Sequence, residues 1–260
     1  MNYYDKEINA IEDIQHLSRN EIAFVNTSFS LRKYFRSIWR ERVFKGWIDN
    51  SSKNSIPPDF YSDEYNYMLE VMRFDDYELT KNHPNVLESR LYKRIENERR
   101  KNGVSTFKEL NVKVMIVPNY YKASQNSYEL YCKNFERVYL KHAKKISQYR
   151  KNFPGYKLGF LLIDESPGYV ESKLEVSKDD FKPGDMIKNV RLHLPYLDER
   201  FVKIIKASDI DFLIWYMPYK NMTQNHFKYP YCAMVDVKKL RIKSYRCVNY
   251  DSKKLICLEV

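Results

Sequence analysis

Two short segments in the second half of the chain carry acids and a lysine at a spacing that suits metal-assisted hydrolysis. Asp211 opens the apolar run at 211–217, and Asp236 and Lys238 lie two residues apart in the run at 232–240. If both runs are strands, Asp236 and Lys238 point to one face of the sheet, because side chains alternate along a strand. Two carboxylates can hold Mg²⁺ or Mn²⁺, and a lysine can orient the attacking water. The spacing therefore predicts a catalytic site of Asp211, Asp236 and Lys238, with the two aspartates as metal ligands.

This pattern resembles the site of metal-dependent nucleases of the PD-(D/E)XK type, in which acids on neighbouring strands combine with one lysine. The resemblance implies a phosphodiesterase that acts on DNA or RNA, with Mg²⁺ or Mn²⁺ as cofactor. Glu199, in a short helix predicted at 198–207, would supply a further catalytic acid. The chain departs from that pattern at one point. The nuclease fold places a helix after the lysine strand, whereas the tail at 242–260 is predicted as a hairpin.

A second group of acids lies on or just after two predicted strands, 67–74 and 157–163, and one further acid, Glu88, lies in the first turns of the helix predicted at 85–101. If these strands are parallel neighbours, their acids meet at one edge of the sheet, where α/β proteins bind ligands. Mutual repulsion then favours a divalent cation or an arginine partner, and Arg73 is the nearest arginine in sequence. Acids at such positions can also simply cap turns or helices. The alternative acidic cluster comprises Glu70, Asp75, Asp76, Glu88, Asp164 and Glu165.

Basic residues concentrate on two predicted helices, 31–48 and 126–151. On the second helix they recur every three or four residues, which places them on one stripe. Lys145, Arg150 and Lys151 extend this stripe. Such a stripe is either a solvated helix face or a surface that binds the phosphates of nucleic acid or an acidic protein. The predicted nucleic-acid-binding residues are Lys133, Arg137, Lys141, Lys144, Arg36 and Arg40.

Composition excludes several classes of protein. The 260 residues include 45 Lys and Arg against 34 Asp and Glu, a net charge of +11, and 43% are hydrophobic, so the chain can fold around a core. No two of the four cysteines form a Cys-x-x-Cys pair, which argues against zinc ribbons and favours reduced thiols. No apolar run approaches the ~20 residues of a membrane helix, and the polar first residues lack the apolar core of a signal peptide. We therefore expect a cytoplasmic protein without a membrane partner.

The predicted elements that must position these residues alternate between strands and helices. Helices at 85–101 and 126–151 separate strands at 67–74, 112–117 and 157–163. This order is typical of an α/β fold with a mixed, mainly parallel β-sheet flanked by helices. The linker-like segment at 49–58, rich in Ser, Asn and Pro, divides the chain in two. We predict a helical N-terminal extension over 1–50 and an α/β main domain over 59–260.

Three functions are compatible with these patterns. A metal-dependent nuclease explains the acids, the lysine and the basic helices together. A non-catalytic factor of a defence, mobile element or phage, which binds nucleic acid or protein through an α/β scaffold, explains the basic helices alone. An enzyme that acts on a small molecule would use a site that sequence patterns do not reveal. The scattered histidines add little, and His142, on an apolar helix face, is expected to be a satisfied core histidine.

Overall fold

The computed structural model describes residues 7–32, 35, 47–50, 58–75, 128–172, 190–220, 230–241 and 245–257. Within these ranges the chain forms a seven-stranded sheet with helices packed on it and a separate three-stranded sheet. The predicted α/β class is therefore confirmed. The larger sheet comprises β1 Ile22–Val25, β2 Ile48–Asp49, β3 Phe60–Ser62, β4 Tyr67–Phe74, β5 Lys157–Asp164, β8 Phe212–Tyr216 and β9 Cys232–Asp236. The smaller sheet comprises β6 Tyr169–Ser172, β7 Val190–Leu192 and β10 Leu255–Cys257.

The centre of the larger sheet is parallel and its margins are mixed. The strand order is β1-β9-β8-β5-β4-β3-β2, with β4, β5 and β8 parallel to one another. β9 runs antiparallel to β8, and β3 runs antiparallel to β4. Parallel strands with helices on both faces are buried on both faces, which explains their continuous apolar sequences. Every residue of β8 is buried, and in β5 Lys157 alone is exposed.

Helices pack on both faces of this sheet. The described helices are α1 Ile8–Gln15, α2 Tyr128–Ala143, α3 Ile146–Asn152, α4 Glu199–Ala207 and α5 Val237–Leu240. On one face, α2 and α4 pack through an aromatic core that includes Phe135, Phe201 and Trp215. On the other face, α1 packs through Ile11 and Ile14. No helix in the described ranges has the length and apolar character needed to cross a membrane.

The predicted helical N-terminal extension is only partly helical. It contains α1, but β1 pairs in parallel with β9 and β2 pairs antiparallel with β3, so residues 1–50 add two strands to the larger sheet. Ile48, predicted at the end of a helix, belongs to β2. Several predictions lie outside the described residues: most of the helix at 31–48, the helix at 85–101, the strand at 112–117, and Arg36, Arg40, Asp76 and Glu88.

The long helix predicted at 126–151 is two helices. α2 ends at Ala143, a turn follows at Lys144 and Lys145, and α3 begins at Ile146. Lys145 and Arg150, which were expected to extend the basic stripe, therefore do not belong to it. The ammonium of Lys145 lies near a carboxylate of β4, and the guanidinium of Arg150 binds a carboxylate beside β8.

The strand predicted at 232–240 ends at Asp236. The Oδ1 atom of Asp236 accepts a hydrogen bond from the backbone N–H of Lys239 at 3.3 Å, which caps α5. Val237 and Leu240, three residues apart, are buried on one side of this short helix. The prediction that Lys238 lies on a strand is therefore wrong, because the Asp236 side chain starts a helix where the apolar pattern indicated an extended chain.

The smaller sheet has the order β10-β6-β7 and is antiparallel. Its strand β10, in the tail, pairs with β6, with Ile256 opposite Val170. The hairpin predicted over 242–260 is therefore wrong, since the described strand of the tail pairs with a distant part of the chain. Residues 170–195, predicted as loop-like, supply strands to this sheet.

Candidate functional site

Asp211 and Asp236 lie at the same edge of the larger sheet. β8 runs antiparallel to β9, and Phe212 pairs with Asp236, so the residue that precedes β8 is next to the end of β9. Lys238 reaches the same place, with its Nζ atom 2.9 Å from Oδ1 of Asp211. The predicted meeting of Asp211 and Lys238 is therefore present, although Lys238 approaches from a helix.

Both oxygens of the Asp211 carboxylate contact hydrogen-bond donors. Its Oδ2 atom accepts hydrogen bonds from Arg150 Nη2 and from the backbone N–H of Leu158, each at 2.9 Å. Burial of the carboxyl opposes its ionisation, but the hydrogen bonds from Lys238 and Leu158 and the charge of Arg150 outweigh it and hold the pKa of Asp211 below its ordinary value. The carboxylate thus joins α3, β5 and α5 to the start of β8. Such a carboxylate has little capacity left for a metal ion.

The two other acids of the predicted site lie at helix termini. Asp236 caps α5, as described above. Glu199 is exposed in the first turn of α4, at the end of that helix remote from the segment that leads to Asp211. A negative charge at this position favours the helix N-terminus. In the described part of the chain, no group of three or more His, Cys, Asp or Glu side chains is arranged to hold a metal ion. The metal-binding function of Asp211 and Asp236 stays a prediction.

The alternative acidic cluster forms in part. Phe74 pairs with Asp164 in the parallel register of β4 and β5, so Asp75 and Glu165 leave the sheet at the same edge. The Glu165 carboxylate lies 3.4 Å from Nε of Arg73, the arginine that the sequence offered as a partner. At this edge, the repulsion expected among the acids is therefore relieved by a cationic side chain.

Asp164 lies in a buried polar network at this edge. Its Oδ2 atom accepts hydrogen bonds from the Tyr131 hydroxyl at 2.5 Å and from Trp215 Nε1 at 2.8 Å. Its Oδ1 atom accepts one from the Ser166 hydroxyl at 2.5 Å. The buried ammonium of Lys220 lies 3.2 Å from Oδ2 and also donates to Ser166 at 2.7 Å. Asp164 is therefore neutralised within the protein, and sequence reasoning missed its lysine.

Glu70, in the middle of β4, contacts a different set of polar side chains. Its Oε1 atom lies 2.6 Å from Nδ1 of His142 and 3.7 Å from Nζ of Lys145. The hydroxyl of Tyr149 donates a hydrogen bond to the same carboxylate. Glu70 is buried, whereas the Lys145 side chain is 47% exposed, so the lysine is the member of the group that is in contact with solvent. His142, expected in the core, has its hydrogen-bond partner in Glu70.

Asp59 adds a second carboxylate to this group. β3 pairs with β4 so that Phe60 is opposite Leu69, which sets Asp59, one residue earlier, across from Glu70. The Oδ2 atom of Asp59 accepts a hydrogen bond from the backbone N–H of Val71 at 2.6 Å. Burial and the charge of Glu70 raise the pKa of Asp59 to about 8, although that hydrogen bond acts in the opposite direction. The charge of Glu70 therefore disfavours the ionisation of Asp59.

Sequence reasoning missed Asp59 and the contact that Lys145 makes. Asp59 stands just after the segment interpreted as a linker, and the hairpin of β3 and β4 brings it to Glu70. The sequence held one signal for this hairpin, an asparagine at position 66 just before β4, because asparagine tolerates the positive φ that turns require. In the structure, the turn before β4 ends at Asn66, which has a φ of 55°. Residue 72, two beyond Glu70, is methionine rather than lysine. The lysine beside Glu70, Lys145, comes instead from the turn that follows α2.

The predicted basic stripe of α2 lies on the protein surface. Its members Lys133, Arg137, Lys141 and Lys144 are all exposed. The opposite side of α2 is buried against the sheet through Tyr131, Phe135, Val138 and Tyr139. Position on the surface agrees with both interpretations of the stripe, a solvated face and a binding face.

Comparison of the chain with known protein families, with curated protein sequences and with solved structures finds no match. Function is therefore inferred from the side chains. In the Asp211 and Asp164 groups, a lysine or arginine nitrogen lies within 3.2 Å of the carboxylate, whereas the lysine of the third group is 3.7 Å from its carboxylate. The third group, the Glu70 centre, consists of Asp59, Glu70, His142, Lys145 and Tyr149. It combines two facing carboxylates with a partly exposed lysine, and it is the candidate functional site.

Proposed function

We propose that the protein is a metal-dependent nuclease-like phosphodiesterase whose active site is the Glu70 centre. One observation carries the proposal: Asp59 and Glu70 face each other on paired strands, and the Lys145 ammonium lies 3.7 Å from Glu70. An acid near a strand end, a second acid on the next strand and a lysine beside it are the parts that the nuclease resemblance requires. The proposal moves these parts from Asp211, Asp236 and Lys238 to β3, β4 and the turn that follows α2.

The residues of the Glu70 centre suit Mg²⁺ or Mn²⁺ as cofactor. Magnesium is commonly bound by one or two carboxylates together with waters and substrate phosphate oxygens, so a set of three protein ligands is not required. Asp59 and Glu70 would hold the ion, and its charge would relieve their repulsion. When bound, the ion would supply Lewis-acid stabilisation of the phosphate and lower the pKa of the attacking water.

The remaining side chains of the centre have chemically distinct tasks. The Lys145 ammonium lies beside the Glu70 carboxylate and, because it is partly exposed, can donate a hydrogen bond that orients the attacking water. The hydrogen bond between Nδ1 of His142 and Glu70 fixes the orientation of the imidazole ring beside the carboxylate. Tyr149 holds Glu70 in place from the buried side.

Cleavage assays on the full-length chain test this proposal. Labelled DNA and RNA are incubated with Mg²⁺ or Mn²⁺, and with EDTA as the metal-free control. Wild-type protein is compared with Asp59→Asn and Glu70→Gln, and with Asp236→Asn as a matched carboxylate control. We expect metal-dependent cleavage by wild type and by Asp236→Asn, and its loss in the two variants of the Glu70 centre.

Three results would count against the proposal. If folded wild-type protein cleaves neither nucleic acid with either metal, the hydrolase assignment fails. If Asp236→Asn loses activity while Asp59→Asn retains it, the site belongs at Asp211 and Asp236 instead. Binding of nucleic acid with a steep salt dependence and no cleavage would favour the non-catalytic binding factor. Circular dichroism of every variant checks that lost activity is not lost folding.

A further inference from the structure

Three of the four cations of the α2 stripe have no ion-pair partner in the described part of the chain. Arg137, Lys141 and Lys144 are exposed, and none of them lies within 4.0 Å of a described carboxylate. Glu136, an exposed acid on the same helix, forms no ion pair with any residue in the described ranges. Like charges at a spacing of four residues destabilise a helix by roughly 0.2–0.5 kcal/mol per pair. These three cations therefore repel one another, and an external polyanion would relieve that repulsion.

The stripe also has a direction. It follows the exposed side of α2 from Lys133 to Lys144, and the next residue, Lys145, lies 3.7 Å from the Glu70 carboxylate. From Lys133 to the end of α2 the helix axis rises by about 15 Å, at about 1.5 Å per residue. This length corresponds to roughly four nucleotide steps of a strand at about 3.4 Å each. The stripe thus forms a positively charged ridge that leads to the proposed active site.

An apolar side chain lies within this ridge. Leu140 is 42% exposed, which is unusual for a large apolar residue on this helix. It precedes Lys141 and lies three residues after Arg137, so it stands among the cations of the stripe. A sugar or base of a nucleic acid can cover such a side chain while the phosphates meet the cations. An acidic peptide would pair with the cations but would offer no sugar or base to cover Leu140.

We infer that the sugar–phosphate backbone of a nucleic-acid strand lies along the α2 stripe, with Lys133, Arg137, Lys141 and Lys144 on its phosphates. This inference rests on the proposed function, because the stripe leads to the Glu70 centre. It names the substrate as a polymer of several nucleotides rather than a mononucleotide diester. It also predicts that the cleaved bond lies beside the phosphates bound nearest the end of α2.

Fluorescence anisotropy in EDTA tests the inference without any cleavage step. The dissociation constant of the full-length chain for a short labelled DNA or RNA strand is measured over a series of salt concentrations. The double variant Arg137→Gln with Lys141→Gln should reduce the slope of log affinity against log salt by about 1.4, since each lost phosphate contact removes about 0.7 for a single strand. The matched control, Lys203→Gln with Lys253→Gln, removes two exposed charges elsewhere and should leave the slope unchanged.

The outcomes separate this inference from the proposed function. Glu70→Gln, expected to lose cleavage, should bind no more weakly than wild type. If wild type binds steeply but never cleaves, the stripe is supported and the hydrolase proposal fails. If the Arg137 and Lys141 variant binds with an unchanged slope while wild type cleaves, the stripe inference is overturned and the hydrolase proposal is not. Equal competition by poly-glutamate and by nucleic acid would also overturn it, in favour of an acidic protein partner.

Discussion

The ammonium nitrogen of Lys220 lies 3.2 Å from Oδ2 of Asp164, and both side chains are buried. This pair joins the end of β5 to the segment that follows β8. The ammonium also donates to the Ser166 hydroxyl and to the carbonyl oxygen of Pro167, at 2.7 Å and 3.0 Å. Removal of one partner from such a buried ion pair destabilises the fold, because the remaining charge is buried without a counterion or water.

Removal of the lysine should therefore destabilise the fold. We expect Lys220→Met to lower the free energy of unfolding by about 3–5 kcal/mol, because the Asp164 charge would remain buried without its cation. Urea denaturation measures this as a shift of the midpoint. The double variant Lys220→Met with Asp164→Asn should regain much of the loss, since no buried charge remains. A single variant as stable as wild type would show that the pair contributes no such constraint.

Acid should weaken the contacts of Asp211. Burial opposes ionisation of this carboxyl, but its hydrogen bonds and cationic neighbours hold its folded pKa below the ordinary value. Its contribution to stability is therefore complete above the unfolded-chain pKa of about 3.9 and is lost as the pH falls through the lower folded value. We expect wild type to be more stable than Asp211→Asn at neutral pH, with a difference that shrinks below about pH 4. Urea denaturation of both proteins at neutral and acid pH measures this, and a constant difference would contradict it.

The strands at the centre of the fold could be predicted because burial on both faces requires a continuous run of apolar residues. β4 was predicted at its observed bounds, and β5 within one residue. The end of β9 could not be predicted in the same way. Val237 and Leu240 could be buried from a strand or from a helix, so the apolar pattern does not distinguish the two. The helix forms because the side chain of Asp236 caps its first turn. Local hydrogen bonding therefore overrode the apolar pattern.

The candidate site was harder to predict than the fold because its parts come from separate elements. Asp59 reaches Glu70 through the β3–β4 hairpin, and Lys145 reaches Glu70 because the long basic helix breaks after Ala143. A search for an acid and a lysine two residues apart cannot find this arrangement, since Met72 stands where that pattern needs lysine. The acids at the carboxyl end of β5 and the partner of Glu165, Arg73, could be predicted, but the partner of Asp164 could not, because tertiary structure places Lys220 beside it.

Gly159 of β5 allows a close approach by the ring of Phe212 on β8. The two residues pair in register, and a Cβ atom on Gly159 would lie 2.0 Å from a ring carbon of Phe212. We expect Gly159→Ala to lower the free energy of unfolding by about 1–3 kcal/mol, because the ring must move within a packed core. Thermal or urea denaturation measures the change. The double variant Gly159→Ala with Phe212→Leu should lose less than the sum of the two single changes, whereas simple additivity would show that the ring is not the obstacle.

The neighbours Lys144 and Lys145 allow a matched test of the lysine in the proposed site. The Lys145 ammonium lies 3.7 Å from Glu70, whereas Lys144 belongs to the exposed stripe. We expect Lys145→Ala to lower kcat by about 100-fold or more, since a hydrogen bond made to the reacting groups is lost. Lys144→Ala should instead raise KM for an oligonucleotide with kcat unchanged, because it removes binding that is equal in the ground and transition states.

Steady-state kinetics at saturating metal separates the two variants, and urea denaturation checks that both remain folded. Because both substitutions remove one positive charge from adjacent positions, a general electrostatic effect would change both variants alike. Equal increases in KM with unchanged kcat would place Lys145 in substrate binding rather than in the chemical step. A selective loss of kcat in Lys145→Ala would instead mean that the lysine acts on the reaction through its position beside Glu70.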